Sequence, residues 1–207
     1  LPGLQEDVLR ELVKSGKPVI LVLLSGSALA VPYAEEHVPA ILQGWYPGAR
    51  GGKALAEILF GESCPEGKLP VTFYRTTEEL PDFKDYSMKG RTYRYMKQEA
   101  LYPFGYGLSY TEFELTGTQI SSDSVDAGQS LEICTTVKNT GKMEGAETVQ
   151  VYVHACMEDA PEYQLKALKK VTLEPGESKD ITLSLTADDF GLYNTEGLSF
   201  LMLHFKV

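Results

Sequence analysis

The first part of the chain, through residue 72, has the apolar spacing of alternating helices and strands. In LQEDVLRELVKSGK the apolar residues fall on one stripe and Gly16 follows as a stop, which predicts a helix from about residue 4. The continuous, β-branched run PVILVLL at 18–24 is typical of a central parallel strand covered on both faces. We expect a second strand at 40–45, a helix at 52–61 and a further strand at 69–73. This order predicts a layered α/β sheet that is mostly parallel.

The segment at 76–112 has no regular period, and we expect an ordered linker there. Near its end, LYPFGYGLSYT at 101–111 places four aromatic rings and two glycines in eleven positions. A loop of this kind either packs two domains together or offers ring faces to a flat ligand such as a sugar. We favour packing and keep sugar binding as the alternative.

From residue 113 onward, apolar residues recur at every second position. In LEICTTVKN, for example, Leu131, Ile133 and Val137 share one face. Short alternating strands with turns at Asn139-Thr140-Gly141 and Pro175-Gly176 predict a β-sandwich of the immunoglobulin or fibronectin type III-like class. We therefore expect a change of architecture between residues 75 and 115.

Composition narrows the class of partner. The net charge of -10 argues against a nucleic acid or an anionic membrane, and no apolar run approaches the ~18 residues of a membrane span. Cys64, Cys134 and Cys156 lack CxxC spacing, which predicts buried thiols and not a disulfide framework. The chain begins at Leu1 without a methionine or a signal peptide, so we expect a piece of a longer protein.

Several familiar site patterns are nearly complete, and each lacks a required residue. PGARGGKA would need a glycine at Pro47 and a hydroxyl residue at Ala54 to form a phosphate loop. Ser25 and Ser27 follow a buried strand, where open α/β sheets bind ligands, but they lack the glycines of a nucleophile elbow, and we interpret them as a structural turn. The histidines are isolated and the acids scattered. We therefore expect no cofactor, no metal and no complete active site.

Long motifs nevertheless occur in a fixed order. They are LPGLQEDVLRELVKSGKPVILVLLSGSAL, then PAILQGWYPGARGGKALAEILFGESCPEGKLPVTF, then GRTYRY, then LYPFGYGLSYTEFE. Together they closely resemble the C-terminal part of family 3 glycoside hydrolases. VKNTGKMEGAETVQVYV and LKKVTLEPGESKDITLSL resemble the fibronectin type III-like module that ends many of those enzymes.

The resemblance implies three segments: the C-terminal half of an α/β sandwich domain at 1–75, an ordered linker at 76–112 and a fibronectin type III-like β-sandwich at 113–207. In that family an N-terminal (β/α) barrel supplies the aspartate nucleophile. The α/β sandwich supplies a glutamate acid/base, usually shortly before the LPG at which this sequence begins. The resemblance thus implies no catalytic residue in this chain, and we expect the isolated chain to hydrolyse no glycoside.

The implied function is that of a C-terminal fragment of an exo-acting β-glycosidase acting on terminal β-D-glucosyl or β-D-xylosyl residues. DYSMKGRTYRY leans toward the β-xylosidase-like branch. Within the motifs, Tyr93, Arg94 and Tyr106 are the candidate substrate-binding residues. The alternative is a non-catalytic carbohydrate-binding or structural adaptor module.

The resemblance implies that the carbohydrate substrate binds through the missing N-terminal barrel. Without that barrel an apolar surface would be exposed, and we therefore expect self-association of the chain. The resemblance also favours a secreted or periplasmic parent protein. The end of the chain, DFGLYNTEGLSFLMLHFKV, departs from the family pattern of a Pro-Gly turn followed by a tyrosine strand and a glycine. This departure implies that the last strand is altered or shortened.

Overall fold

The computed structural model describes residues 1–155, 160–194, 197–199 and 203–206. The helices are α1 (Gln5–Lys14), α2 (Pro32–His37), α3 (Gly51–Leu59) and α4 (Thr92–Tyr95). The strands are β1 (Ile20–Leu23), β2 (Ala40–Gln43), β3 (Phe113–Ile120), β4 (Ser130–Asn139), β5 (Gly145–Ala155), β6 (Gln164–Leu173), β7 (Ser178–Thr186), β8 (Leu192–Asn194), β9 (Gly197–Ser199) and β10 (Leu203–Lys206). Short 3-10 turns lie at Thr77–Glu79 and Ala187–Phe190.

The N-terminal part is a mixed α/β region around a small parallel sheet. Strands β1 and β2 run parallel, with Ile20 opposite Ala40 and Leu23 opposite Gln43. Helix α1 buries Leu9 against this region and leaves the stripe of Leu4, Val8 and Leu12 exposed to solvent. The predicted helices and the first two predicted strands are confirmed with shorter bounds.

Two expectations about this sheet are wrong for this chain. Strand β1 pairs only with β2 among the described residues, and Ile20 and Leu24 are 52% and 55% exposed, so the run at 18–24 is not a central strand covered on both faces. In a two-stranded sheet each strand has one edge without a neighbouring strand. The apolar residues at 18–24 therefore extend beyond the structure that covers them. The segment at 69–73 is not a strand either, because only Phe73 forms an isolated antiparallel bridge, with Tyr102.

The C-terminal part consists of antiparallel sheets that share one core. Strands β3, β4 and β7 form one three-stranded sheet, β10, β5 and β6 form another, and β8 pairs with β9. Burial alternates along β4, β5 and β7, which confirms the predicted period of two. The core is built from Phe190 of the second 3-10 turn and from alternate residues of both three-stranded sheets: Leu131, Ile133, Val137, Val149, Val151, Val153, Val171, Leu173, Ile181, Leu183 and Leu185.

The cysteine expectation holds at one position and fails at another. Cys64 is a buried free thiol, as predicted, whereas Cys134 is free but exposed. Cys134 follows the buried Ile133 in β4, and strand alternation therefore turns its side chain outward. Cys156 lies outside the described residues.

A strand is present near the end of the chain, where the sequence departs from the family pattern. Residues 203–206 form β10, which pairs antiparallel with the last residues of β5, Leu203 standing opposite Ala155. Residues 195–196, 200–202 and 207 of this final segment lie outside the described residues.

Asn139, at the end of β4, is fully buried and uses its side-chain amide completely. Its Oδ1 accepts hydrogen bonds from the Thr111 hydroxyl (2.6 Å) and from the backbone N–H of Gly141 (3.0 Å). Its Nδ2 donates to the carbonyl oxygens of Met143 (2.8 Å) and Leu173 (2.9 Å). The amide therefore joins the end of the linker, the turn after β4 and the end of β6.

We expect Asn139→Ala to lower the free energy of unfolding by about 3 kcal/mol, because the substitution leaves several buried polar groups without a partner. Urea denaturation followed by circular dichroism measures the change. The matched control is Gln98→Ala, which removes an exposed amide and should leave stability within about 0.5 kcal/mol of the parent. Equal stabilities for the two variants would contradict this role for Asn139.

Candidate functional site

The aromatic loop at 101–111 folds back along residues 69–73. The Leu69 N–H donates to the Tyr106 carbonyl (2.8 Å), and the Gly105 N–H donates to the Leu69 carbonyl (2.7 Å). Further along, the Phe73 N–H donates to the Tyr102 carbonyl (2.9 Å). These bonds fix the loop backbone and so fix the directions of its rings.

The rings of this loop and of neighbouring residues form two groups. Tyr93 stacks on Phe104 with centroids 4.2 Å apart, and both rings present an edge to Tyr152 of β5, at 5.9 and 6.4 Å. Tyr102 stacks on Tyr106 at 5.4 Å and meets Phe73 edge-on at 6.1 Å. Offset and edge-on pairs of this kind add to the stabilisation that burial of the rings already gives. The linker is therefore fastened to β5 by ring packing.

Between the linker and the outer face of β5 lies an aromatic cleft of about 490 Å³. It is lined by Tyr93, Pro103, Phe104, Gly105, Tyr106, Gln150, Tyr152 and Tyr163. Burial, and to a smaller extent the neighbouring Tyr93, raises the pKa of the Tyr152 phenol to about 12. Tyr152 is therefore neutral at physiological pH and donates to Gln150 Oε1, while Gln150 Nε2 donates to the Gly105 carbonyl (3.2 Å).

The three candidate binding residues are placed differently. Tyr93 and Tyr106 both line the cleft, but Arg94 is not among its lining residues. A guanidinium nitrogen of Arg94 donates to Gln164 Oε1 (3.0 Å) at the start of β6, and Arg94 Nε is buried without a partner in the part of the chain that the structure describes. The Tyr93 hydroxyl is also engaged with the sandwich, since it accepts from the Leu165 N–H (3.3 Å). Arg94 and the Tyr93 hydroxyl thus bind the linker to β6.

Sequence reasoning missed the residues that β5 contributes to the cleft. Gln150 and Tyr152 alternate with the core residues Val149, Val151 and Val153, and they therefore stand on the opposite face of the strand. The available signal was this outward tyrosine beside an outward glutamine, on a face that solvent would ordinarily cover. Its partner on the linker is distant in sequence, and no local pattern predicts that contact.

The chemistry available in the cleft is that of binding. The described residues that line it include no carboxylate, histidine or thiol, and they offer ring faces, amide groups and phenols. Among the described residues, no group of three or more His, Cys, Asp or Glu side chains is arranged to hold a metal ion. No helix within the described ranges is long and apolar enough to cross a membrane.

Two family models match this chain. A model described as the glycosyl hydrolase family 3 C-terminal domain matches residues 1–110, and one described as a fibronectin type III-like domain matches residues 147–202.

Curated relatives include enzymes named for two different sugars. A xylan 1,4-beta-xylosidase of Xylanibacter ruminicola is 43% identical over 197 residues, covering 95% of this chain and 22% of that protein. A periplasmic beta-glucosidase of Salmonella typhimurium is 36% identical over 211 residues, covering 95% of this chain and 28% of that protein. The chain thus spans about a quarter of the length of these relatives.

Two solved β-glucosidase structures share the fold of this chain. A β-glucosidase from Erythrobacter marinus superposes with a TM-score of 0.83 at 37% identity, over 97% of this chain and 27% of that one. A mutant β-glucosidase from Listeria innocua, solved in complex with laminaribiose, has a TM-score of 0.81 at 34% identity, over 97% of this chain and 30% of that one.

The close approach of Gly107, in the aromatic loop, to the backbone of Gly67 can be tested by substitution. A Cβ added at Gly107 would lie 2.2 Å from the carbonyl oxygen of Gly67, whereas one added at Gly67 would meet nothing within 4 Å. Because backbone must move to relieve the first contact, we expect Gly107→Ala to cost about 1–3 kcal/mol of stability. The matched Gly67→Ala variant should melt close to the parent in a thermal scan. If both variants melt like the parent, the loop does not pack as described.

Proposed function

This chain belongs to the family of glycosyl hydrolase family 3 C-terminal domains, and from that premise we propose that it is the C-terminal part of an exo-acting β-glycosidase. The enzyme would hydrolyse terminal β-D-glucosyl or β-D-xylosyl residues. The observation that carries this proposal is the similarity over 95% of the chain to relatives named as a xylosidase and as a β-glucosidase. We include both sugars because the relatives carry both names.

Within such an enzyme, we propose that residues 1–75 form half of a layered α/β sandwich domain, residues 76–112 an ordered linker and residues 113–207 a fibronectin type III-like β-sandwich. Two separate groups of buried apolar residues support this division. One group surrounds β1 and α1, and the other fills the space between the antiparallel sheets. The linker contributes Leu101 and Tyr102 to the first group and packs Tyr93 and Phe104 against β5.

The chain's role in this proposal is to supply scaffold and part of a pocket wall, without the catalytic carboxylates. A retaining glycosidase needs two carboxyl groups about 5–5.5 Å apart in a pocket. Acids of the linker are engaged in local structure instead: Asp82 Oδ1 accepts from the Lys84 N–H (2.8 Å), and Asp85 Oδ1 accepts from the Ser87 N–H (2.8 Å). The pKa of Glu174 is raised, chiefly by a hydrogen bond with the Glu144 side chain, but Glu174 lies on the open surface, where water surrounds any substrate.

The exposed stripe of α1 supports a further part of the proposal. Leu4, Val8 and Leu12 form an apolar face that nothing covers among the described residues. In a longer protein this face would pack on preceding structure, and in the isolated chain it would promote self-association. The carbohydrate substrate would bind through a barrel outside this chain.

A second candidate function is a non-catalytic carbohydrate-binding or adaptor module. The aromatic cleft favours it, because Tyr93 and Tyr106 both face a space of sugar size in which the described residues place no carboxylate, histidine or thiol. Under this alternative the chain would bind a glycan and need no catalytic partner.

A chimera distinguishes the two functions. Residues 1–207 replace the matching C-terminal segment of the Listeria innocua β-glucosidase, and kcat/KM is measured with aryl β-glucoside and aryl β-xyloside. We expect the chimera to hydrolyse at least one of these substrates and the isolated chain to hydrolyse neither, since proximity of two carboxyl groups is required. The unmodified Listeria enzyme is the positive control.

Two results would overturn the proposal. A soluble, folded chimera without activity on either substrate would favour the adaptor function. Turnover by the isolated chain that survives repurification and disappears on substitution of one of its own acids would reveal a catalytic site in this chain.

A further inference from the structure

The carboxyl ends of β1 and β2 open on one edge of the parallel sheet. The two strands end side by side at Leu23 and Gln43, and the turns that follow them carry Ser25 and Tyr46. In open α/β sheets the crevice outside these strand ends is where ligands bind.

An unsatisfied acceptor lies at this edge. Gln43 Nε2 donates to the Ser25 hydroxyl (3.2 Å), which in turn donates to the Ser27 carbonyl (2.8 Å). Gln43 Oε1 takes no part in these bonds, and this oxygen is buried without a hydrogen-bond partner among the described residues. Buried carbonyl oxygens in native proteins are nearly always paired, so an orphan of this kind indicates a donor that arrives from outside.

The loop after β2 is held in an unfavourable backbone conformation. Trp45 has a φ of +52°, in the left-handed region that large side chains rarely adopt. Its ring packs edge-on against Phe73 at 6.2 Å, and the preceding Gly44 N–H donates to the Leu23 carbonyl (2.8 Å). Strained residues persist where the surrounding structure fixes them, often at binding sites.

One consequence of this turn is the position of Tyr46. The side chain is 81% exposed, yet its ring rests against Gly26, where an added Cβ would lie 2.5 Å from Cε2. The ring is therefore supported by the turn after β1 while most of its surface faces solvent. A supported and exposed ring of this kind is suited to stacking on the apolar face of a sugar.

Helix α3 adds hydrogen-bond donors to the same edge. It begins at Gly51, shortly after β2 ends, and no side chain caps its N terminus or places a carboxylate in its first turn. An added Cβ at Gly52 would meet nothing within 4 Å, so the backbone there is open to approach. The Gly51 N–H already donates to the Gly48 carbonyl (2.9 Å) and the Ala54 N–H to the Arg50 carbonyl (3.1 Å). The donors that this first turn offers are therefore the N–H groups of Gly52 and Lys53.

We propose that this edge of the sheet is a pyranoside-binding subsite, in which Tyr46 stacks on the sugar ring, Gln43 Oε1 accepts a sugar hydroxyl and the N–H groups of Gly52 and Lys53 donate to others. A carbonyl acceptor beside amide donors and a ring matches a group that both donates and accepts, which is the property of a hydroxyl. An anion would be repelled by the Gln43 carbonyl. The subsite deepens the proposed function, on which its choice of sugar class rests.

The chain carries its own reporter for this site, because Trp45 is its single tryptophan. We expect millimolar cellobiose or xylobiose to change the tryptophan fluorescence of the full 207-residue chain in a saturable way. Tyr46→Ala should weaken that binding roughly three- to tenfold through loss of the stacked ring, whereas Tyr46→Phe keeps the ring and should retain the affinity. The matched control is Phe60→Ala, which removes an 84% exposed ring at the opposite end of α3 and should bind like the parent.

Three outcomes overturn the subsite. They are no saturable response to either disaccharide, equal affinity for the parent and Tyr46→Ala, or a response to sodium sulfate stronger than the response to the disaccharides. An active chimera combined with any of these three would remove the subsite and leave the proposed function standing. An inactive chimera combined with saturable, Tyr46-dependent binding would leave the subsite standing and remove the proposed enzyme.

Discussion

The buried amide of Asn139 is the interaction on which the joining of the two halves of the chain depends. Its Oδ1 accepts a hydrogen bond from the Thr111 hydroxyl at the end of the linker, and its Nδ2 donates to the carbonyls of Met143 and Leu173. A buried amide with every group paired specifies one arrangement, because any other leaves polar atoms without partners. The direction in which the linker enters β3 is therefore set from inside the β-sandwich.

Further contacts carry this constraint back toward the α/β region. Lys68 lies just before residues 69–73, along which the aromatic loop folds back. It pairs with Glu147 of β5 (2.9 Å) and donates to the Gly107 carbonyl (3.0 Å). Both partners of this ion pair are largely shielded from solvent, so removal of one leaves a poorly solvated charge. Ring packing on Tyr152 adds a second attachment. The β-sandwich thus acts as the support for the linker, and Tyr102 of the linker packs edge-on against Phe73, which in turn meets Trp45 edge-on.

Much of the local structure could be predicted from the sequence, and the errors have a common origin. The alternation in β4 and β5 and the spacing in α1 are local signals and gave the correct elements. The prediction that the run at 18–24 is covered on both faces is wrong, because burial depends on how many strands surround the run. Composition does not record that number. The aromatic cleft was not predicted, because it forms between residues distant in sequence. Tyr93 and Tyr106 line it together with Gln150 and Tyr152, whereas Arg94 donates to Gln164. A sugar-binding role for Tyr93, Arg94 and Tyr106 stays a prediction.

The claim that the sandwich supports the linker is tested most directly by native-state hydrogen exchange of the parent chain across a series of low urea concentrations. The amide proton of Gly105 reports on the linker, that of Leu69 reports on the contact of the α/β region with the linker, and those of Val151 and Val153 report on β5. If the sandwich holds the linker in place, both sets should merge into one opening reaction with the same free energy and the same dependence on urea. Exchange of Leu69 and Gly105 through a separate opening of lower free energy, with β5 still protected, would contradict the account.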